Sequence, residues 1–274
     1  MEKLFKLKAF PKTKNGGNKA GVYIFADDLT KSQMQKIAKE VGYSETAFVM
    51  KSDKADYKVR FFTPKFEVDI CGHATIATFN LLRDLQIIDT GIYTQETKAG
   101  VLKLNVTDHF VFMEQPSPVF SDVIPKEELL ACFKDIEFDQ HLLPQILSTG
   151  LREIFLPLKS KSTLENIKPI HKKIIDLSRK YQVIGIHAFA LAEDVDAYGR
   201  NFAPLIGINE ESATGTSNGA LGCYLHKHHL QKKQYILRQG YQMNQPSEII
   251  TKIDSLNDEI SQVWVGGSAI TIKK

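Results

Sequence analysis

One pattern occurs twice in this 274-residue chain, and it limits the fold more than any other feature. The first copy, RFFTPKFEVDICGHATIATFNLL, spans residues 60–82. The second, RNFAPLIGINEESATGTSNGALGCYL, spans residues 200–225. Arg60-x-Phe62-Thr63-Pro64 corresponds to Arg200-x-Phe202-Ala203-Pro204. In each copy an acidic residue follows, then a turn of small residues, then an apolar segment without a clear polar face over its first turns. A helix that is apolar all round is buried in a core. The repeat therefore predicts two similar halves, each wrapping its strands around one central helix.

The remaining segments fit that plan. In LTKSQMQKIAKEVG, Thr30 is placed as an N-cap, with Gln33 three residues on to complete a capping box. Met34, Ile37, Ala38 and Val41 share one helical face, and Gly42 suits the residue after the helix. Residues 4–10 and 22–25 read as strands around the polar loop PKTKNGGNKAG. That loop lacks phosphate-loop spacing and reads as a flexible turn. SETAFVM, ADYKVRFFT, GVLKLNV and HFVFMEQ read as strands. The stretch PSPVFSDVIP marks a change of domain. Beyond it, PKEELLACF starts a helix with Pro125 near its first turn, REIFLPL and VIGIHAFAL are strands, and KPIHKKIIDLSRKY is an amphipathic helix. QYILRQG, SEIITKI and SQVWVGGSAITIKK complete the strands. The expected domains are 1–117 plus 260–274, and 118–259.

Composition narrows the function classes. Apolar residues make up 43% and charged residues 24%, as in water-soluble globular chains. The formal charge is only +3, with Lys and Arg scattered, so no nucleic-acid footprint is expected. No apolar run is long enough for a membrane span, and MEKLFKLKAF reads as a strand rather than a signal peptide. Cys71, Cys132 and Cys223 are an odd, widely spaced set. They suit neither a disulfide framework nor a cysteine-rich zinc site, and a reducing cytoplasm is the expected compartment.

The two small-residue turns are the candidate site. The first turn of a helix presents free N–H groups and about half a unit of positive charge. Gly72 and Gly215 would let a ligand approach the backbone. Two such turns facing one interdomain cleft would grip an anion, most simply a carboxylate. Glycines of ordinary packing turns are the plainer alternative, which the doubling disfavours. Glu45 sits where a helix turns into a strand, beside Ala47 and Phe48. A carboxylate in apolar surroundings holds its proton more tightly and can exchange it near neutrality. The alternative is an exposed turn residue. His73 is placed to stay neutral at a helix N-terminus, or else to cap or pack. Glu211 is either a ligand-facing carboxylate or a helix cap. Cys71 divides evenly between core packing and an activated thiol. His226, His228 and His229 look metal-like, yet no carboxylate or thiol completes a set, and a solvated helix end is the expected role.

These segments resemble the PhzF-like (phenazine biosynthesis) family, which shares the diaminopimelate epimerase fold. The resemblance rests on the Gly17-Asn18 loop, MQKIAKEVGYSETAFV, RFFTPKFEVDICGHATIA, STGLREIFLPL, RNFAPLIGINEESATGTSNGALGCYL, RQGYQM with PS, and VWVGGSA. It implies an α+β fold of two pseudo-repeated domains, each a β-barrel-like roll around a central helix, with the active site between them, and a homodimer. It implies that Glu45 shuttles a proton between substrate carbons. It implies substrate binding by Gly72 and His73 in the first domain and by Gly215 and Thr216 in the second, where the family pattern more often ends Gly-Ser. Asn18, Cys71 and Glu211 join the binding set. Glu211 stands where the pattern usually has Asp, and Lys19 where it has Pro. Epimerases of this fold use two cysteines; Cys71 matches the first, while the second copy offers Ala213 near the corresponding place and no thiol.

The leading expectation is a cofactor-independent isomerase of a small carboxylate-bearing substrate, with no metal. The alternatives are a non-catalytic ligand-binding protein on the same scaffold and a Cys71-dependent racemase.

Overall fold

The computed structural model describes residues 3–257 and 259–272. The chain divides into two compact units, Met1–Glu114 with Gly266–Lys274, and Gln115–Val265. The first carries β1 (Leu4–Ala9), β2 (Asn18–Tyr23), α1 (Lys31–Val41), β3 (Glu45–Met50), β4 (Tyr57–Phe62), β5 (Glu67–Val68), α2 (Gly72–Asp84), β6 (Gly91–Thr97), β7 (Gly100–Val106) and β8 (Val111–Gln115). The second carries β9 (Val119–Val123), α3 (Lys126–Leu130), β10 (Phe133–Lys134), β11 (Gln145–Ser148), β12 (Arg152–Pro157), α4 (Lys161–Asn166), β13 (Lys168–Pro169), α5 (His171–Tyr181), β14 (Ile186–Leu191), β15 (Ala197–Ala203), β16 (Ile208–Glu211), α6 (Gly215–His228), β17 (Gln234–Gln239), β18 (Ser247–Leu256) and β19 (Glu259–Gly267). The last strand, β20 (Ala269–Thr271), returns to the first unit and pairs with β1.

The same path is traced twice. In the first unit β2 runs parallel to β3, β3 antiparallel to β4, and β4 parallel to β6. In the second unit β12, β14, β15 and β17 repeat those three relationships in order. In each unit the strands pack against one central helix. Helix α2 touches β20, β1, β2 and β3 near one edge and β7 toward the other. Helix α6 touches β11 on one side and β17 and β18 on the other. Every residue from His73 to Leu82 is buried, as is nearly all of Gly215–His226. This is the outcome the missing polar faces predict.

An outer helix covers each sheet's other face. Thr30 accepts from the Gln33 amide while the Gln33 side chain accepts from the Thr30 amide, and Gly42 closes α1 in the left-handed region at φ 69°. Met34 and Ala38 then pack on Phe48 and Phe62. Burying each of those rings contributes about 1.5–3 kcal/mol. In the second unit α5 packs Ile174 and Leu177 on Ile186, Ala188 and Phe202.

Polar ties recur as well. Arg60 donates to both Glu67 oxygens at 2.7 and 3.0 Å, and Arg200 to both Glu210 oxygens at 2.9 and 2.8 Å. The Arg60 guanidinium holds Glu67 below the usual carboxylate range. Inside each unit a buried glutamine fixes the central helix: Gln95 Nε2 donates to Thr75 Oγ1 at 3.1 Å, and Gln239 Oε1 accepts from Asn218 Nδ2 at 2.7 Å. Leaving one of these buried groups unpaired would cost about 1–3 kcal/mol.

Two segments differ from the sequence expectation. Strand β2 begins at Asn18 rather than near residue 22. Its Ala20 and Gly21 are small enough to lie between β1 and β3, and a Cβ on Gly21 would meet Thr46 Oγ1 at 2.8 Å. Strand β9 lies inside the Pro- and Ser-containing stretch that marks the expected change of domain, and it pairs with β11. Pro125 is the N-cap of α3. Among the described residues no helix is long and apolar enough to cross a membrane.

Candidate active site

In the first unit the fold brings Asn18, Glu45, Cys71 and His73 together. Asn18 opens β2, Glu45 opens β3, Cys71 is the N-cap of α2, and His73 is that helix's second residue. Gly17 makes the approach to Asn18 possible: its φ is 89°, and a Cβ there would lie 2.7 Å from the Ala9 carbonyl oxygen.

The His73 ring is the centre of the cluster. Its Nδ1 lies 3.3 Å from Asn18 Nδ2. An amide nitrogen only donates, so with this amide orientation Nδ1 accepts and a neutral ring carries its proton on Nε2. Nε2 lies 3.2 Å from Glu45 Oε2 and 3.5 Å from Ser44 Oγ. The Glu45 contact has an ion-pair distance, but Oε2 makes no hydrogen bond of acceptable angle among the described residues. Proximity, not a formed hydrogen bond, is therefore what the geometry establishes. Cys71 Sγ lies 3.5 Å from Nδ1 and 3.8 Å from Nε2. The His73 side chain is 6% exposed and that of Glu45 18%, although the Glu45 Oε2 atom that faces the ring is itself buried.

Cys71 is in extended conformation at φ −147°, and its side chain makes no capping bond to α2, unlike Thr30 and Ser160 at the starts of α1 and α4. The first-turn amides of α2 are thus not taken by the N-cap side chain. A Cβ at Gly72 would meet only Met113 Cε, at an ordinary 3.6 Å. Nothing in the unit's own packing demands glycine at that position.

The second unit has a matching turn. Thr214 is the N-cap of α6 and also makes no side-chain cap, with Gly215 and Thr216 following. The residue in the place of Cys71 is therefore Thr214 rather than Ala213. The Thr214 hydroxyl donates to Glu211 Oε2 at 2.8 Å, so Glu211 braces the turn. Gln239 holds the turn from below, accepting from the Thr214 amide at 3.3 Å and donating to the Glu211 carbonyl at 2.7 Å.

Residues 7–274 match the family model described as phenazine biosynthesis-like protein. The chain belongs to the phenazine biosynthesis-like protein family. An uncharacterized isomerase of Clostridium acetobutylicum is 36% identical, over 99% of this chain and 96% of that one. The trans-2,3-dihydro-3-hydroxyanthranilate isomerase of Pseudomonas chlororaphis is 30% identical, over 96% and 94%. The crystal structure of a PhzF-family protein from Bacillus anthracis has a TM-score of 0.89 at 31% identity, covering 100% of this chain and 98% of that one. A hydroxyproline epimerase from Agrobacterium vitis, at 13% identity and a TM-score of 0.64 over 99% and 90%, shares the fold alone. This phenazine biosynthesis-like chain is an isomerase that acts on a small molecule.

Sequence reasoning missed one cluster in this family member. Glu153 on β12 is buried; its Oε1 accepts from Asn201 Nδ2 at 2.7 Å, and its Oε2 accepts from Ser217 Oγ in the first turn of α6. Burial pushes the Glu153 carboxyl up to about 7, while burial pushes neighbouring His187 down to about 3. His187 is thus neutral and offers Glu153 no counter-charge. The signal available in sequence was a lone Glu in an apolar strand, REIFLPL.

At the end of α6, His228 and His229 are exposed as expected, while His226 differs. His226 is buried, with Nδ1 3.1 Å from the Lys232 carbonyl and 3.2 Å from the Tyr235 hydroxyl. His228 Nε2 meets Gln145 Oε1 at 2.9 Å. A cavity of about 570 Å³ there is lined by Ser117, Phe120, His226, Lys227 and Glu259, and none of the turn residues contributes. Cys132 and Cys223 are buried thiols pushed up to about 11 and about 12 by burial. Cys71 is set apart from them by the imidazole beside it.

Proposed function

We propose that the protein moves a proton between two carbons of a small carboxylate-bearing substrate, with Glu45 as the acid–base and no cofactor taking part. The observation that carries this reading is the placement of Glu45 at the start of β3, its side chain partly exposed and its buried Oε2, without a hydrogen-bond partner among the described residues, 3.2 Å from His73 Nε2. The carboxylate removes a proton from carbon, and the electron pair left behind moves into the adjoining unsaturated system. The Glu45 carboxylic acid then returns the proton to a second carbon. Atoms and electrons balance, so the product is an isomer.

His73 and Asn18 hold the geometry, with Nε2–H facing the carboxylate. The uncapped turns at Gly72–His73 and Gly215–Thr216 each offer N–H groups suited to an anionic substrate group. Glu211 shapes the second turn. The relative named for a dihydrohydroxyanthranilate acts on a carboxylate-bearing ring, which supports the substrate class. The buried free thiols agree with a reducing cytoplasm, and the family resemblance supports a homodimer.

The test is solvent exchange. Candidate cyclic and amino carboxylic acids selected by thermal shift are incubated in D₂O with the protein, and deuterium is followed by NMR. Incorporation that depends on Glu45 supports the reading. Binding without incorporation, on a verified ligand, would favour a non-catalytic binding protein. The short Cys71–His73 distance favours one second reading, a thiol-dependent racemase, but with Thr214 in the matching place the second unit supplies no second thiol.

A further inference from the structure

Glu45, Cys71 and His73 have a property that proton transfer does not require. One ligand atom from each residue lies within 4.8 Å of the others. The set is a thiol, an imidazole and a carboxylate, the three side-chain donors that zinc takes. From the zinc bond lengths, a tetrahedral site has edges of about 3.5 Å between sulfur and nitrogen and about 3.3 Å between nitrogen and oxygen. Here Sγ–Nε2 is 3.8 Å and Nε2–Oε2 is 3.2 Å. Small rotations of the Cys71 and Glu45 side chains would close the figure. Three protein ligands leave a fourth position open to water, the arrangement of accessible rather than structural zinc sites.

We infer that these three residues form an inhibitory site for a thiolate-seeking divalent cation, with Zn²⁺ the best fit. Thiolate and imidazole ligation selects zinc over Mg²⁺ and Ca²⁺, which prefer oxygen. Binding replaces the thiol proton by the metal and releases that proton to the buffer. Nε2 must then present its lone pair, so the ring proton moves to Nδ1, and the Asn18 amide turns to offer Oδ1 as acceptor. A second group that receives the other ring N–H is what metal-bound histidines ordinarily have. The two anionic ligands offset the dication, while the positive N-terminus of α2 opposes it. The site should therefore be of moderate affinity and reversible. Inhibition rests on the isomerase reading, because zinc occupies the Glu45 lone pair that would take the substrate proton; the binding itself does not.

The experiment is calorimetric titration of chelator-treated, reduced protein with Zn²⁺ alone, in two buffers of different protonation enthalpy. One zinc per chain is expected, with a Kd tighter than about 100 µM and proton release. Cys71→Ser, Cys71→Ala and His73→Gln should each weaken it at least tenfold, with folding checked by thermal unfolding. Co²⁺ should give a thiolate charge-transfer band that Cys71→Ala removes. His228→Gln/His229→Gln, at the other histidine cluster, should leave the affinity unchanged. Weaker binding than that limit overturns the proposal. So does binding that both Cys71 variants preserve, or binding that the His228/His229 variant abolishes. No substrate enters these measurements, so failure of the zinc site and failure of the isomerase reading are separately visible.

Discussion

Glu45, the first residue of β3, and Gly185, the residue just before β14, hold equivalent register positions in the two units, and only Glu45 carries a side chain. Matching Arg60 with Arg200 and Phe62 with Phe202 aligns Thr46 with Ile186 by register, which sets Glu45 against Gly185. A Cβ at Gly185 would lie 2.0 Å from the Phe202 carbonyl oxygen. The second unit has no room for a carboxylate where the first unit presents one. Any chemistry that depends on this strand start is therefore single-sided, which suits removal and return of a proton by one group.

Glu45→Gln keeps the length and hydrogen-bonding reach of the side chain but cannot accept a proton from carbon. Turnover and deuterium incorporation should fall by ~10²–10⁴-fold or more. Ligand affinity should stay within about tenfold, because the substitution leaves untouched the helix turns proposed to hold the anion. His73→Ala should weaken both. Isotope exchange by NMR, with affinity measured separately, decides it; near-normal exchange by Glu45→Gln on a verified substrate would refute the mechanism.

Cys71→Ala separates isomerase from racemase. With Thr214 in the matching place, thiol chemistry lacks a second acid, so turnover should stay within about tenfold of the parent. Complete loss of turnover in a folded Cys71→Ala protein would instead support the thiol mechanism.

Two glycine substitutions should have opposite effects. Gly72→Ala places its methyl in ordinary contact with Met113, so unfolding free energy should change by no more than about 0.5 kcal/mol while anion affinity falls. Gly185→Ala drives a methyl into a backbone carbonyl and should cost about 1–3 kcal/mol or more. Urea unfolding measures the first quantity in both proteins, and sulfate or carboxylate titration measures the second.

Glu153 makes stability depend on pH with a definite sign. Its folded carboxyl is raised from the ordinary 4.5 to about 7 by burial, so the folded state holds the proton more tightly than the unfolded chain. The resulting stabilisation is fully present below pH 4.5 and is lost as pH rises through 7. Glu211 adds like charge, and neutral His187 does not compensate. Glu153→Gln resembles the protonated form and can still bond Asn201 and Ser217. Its Tm should come nearest the parent's at pH 4, below the unfolded value, and exceed it at pH 8. Equal pH profiles for parent and variant would remove Glu153 as the cause.

The parts of this protein legible in sequence are those with local or repeated signals. The α1 capping box needs only Thr30 and Gln33, three residues apart, and the central helices declare themselves by lacking a polar face. Asn18, Glu45, Cys71 and His73 could be assembled only through family resemblance, since their contacts join β2, β3 and α2. Glu153 lay beyond reach because its partners Asn201 and Ser217 are 48 and 64 residues away. The start of β2 was hidden because Lys19, Ala20 and Gly21 have loop-like composition, and only the flanking β1 and β3 make them a strand. His226 was misjudged because a charged run at a helix end looks solvated, whereas Tyr235 and the Lys232 carbonyl draw that ring inward.

The glutamine joints, Gln95 with Thr75 and Gln239 with Asn218, bear on how this chain can be altered. Both join the same helices that carry the residues on which binding is proposed to depend, and each forms without any ligand. A library that varies His73 and Thr216 while keeping these four residues fixed changes the recognition surface without loosening its mounting. The doubled architecture thus behaves as an interchangeable fitting on a common frame. The two turns can diverge toward different anions, each at its own rate, while the halves continue to fold by the same rule.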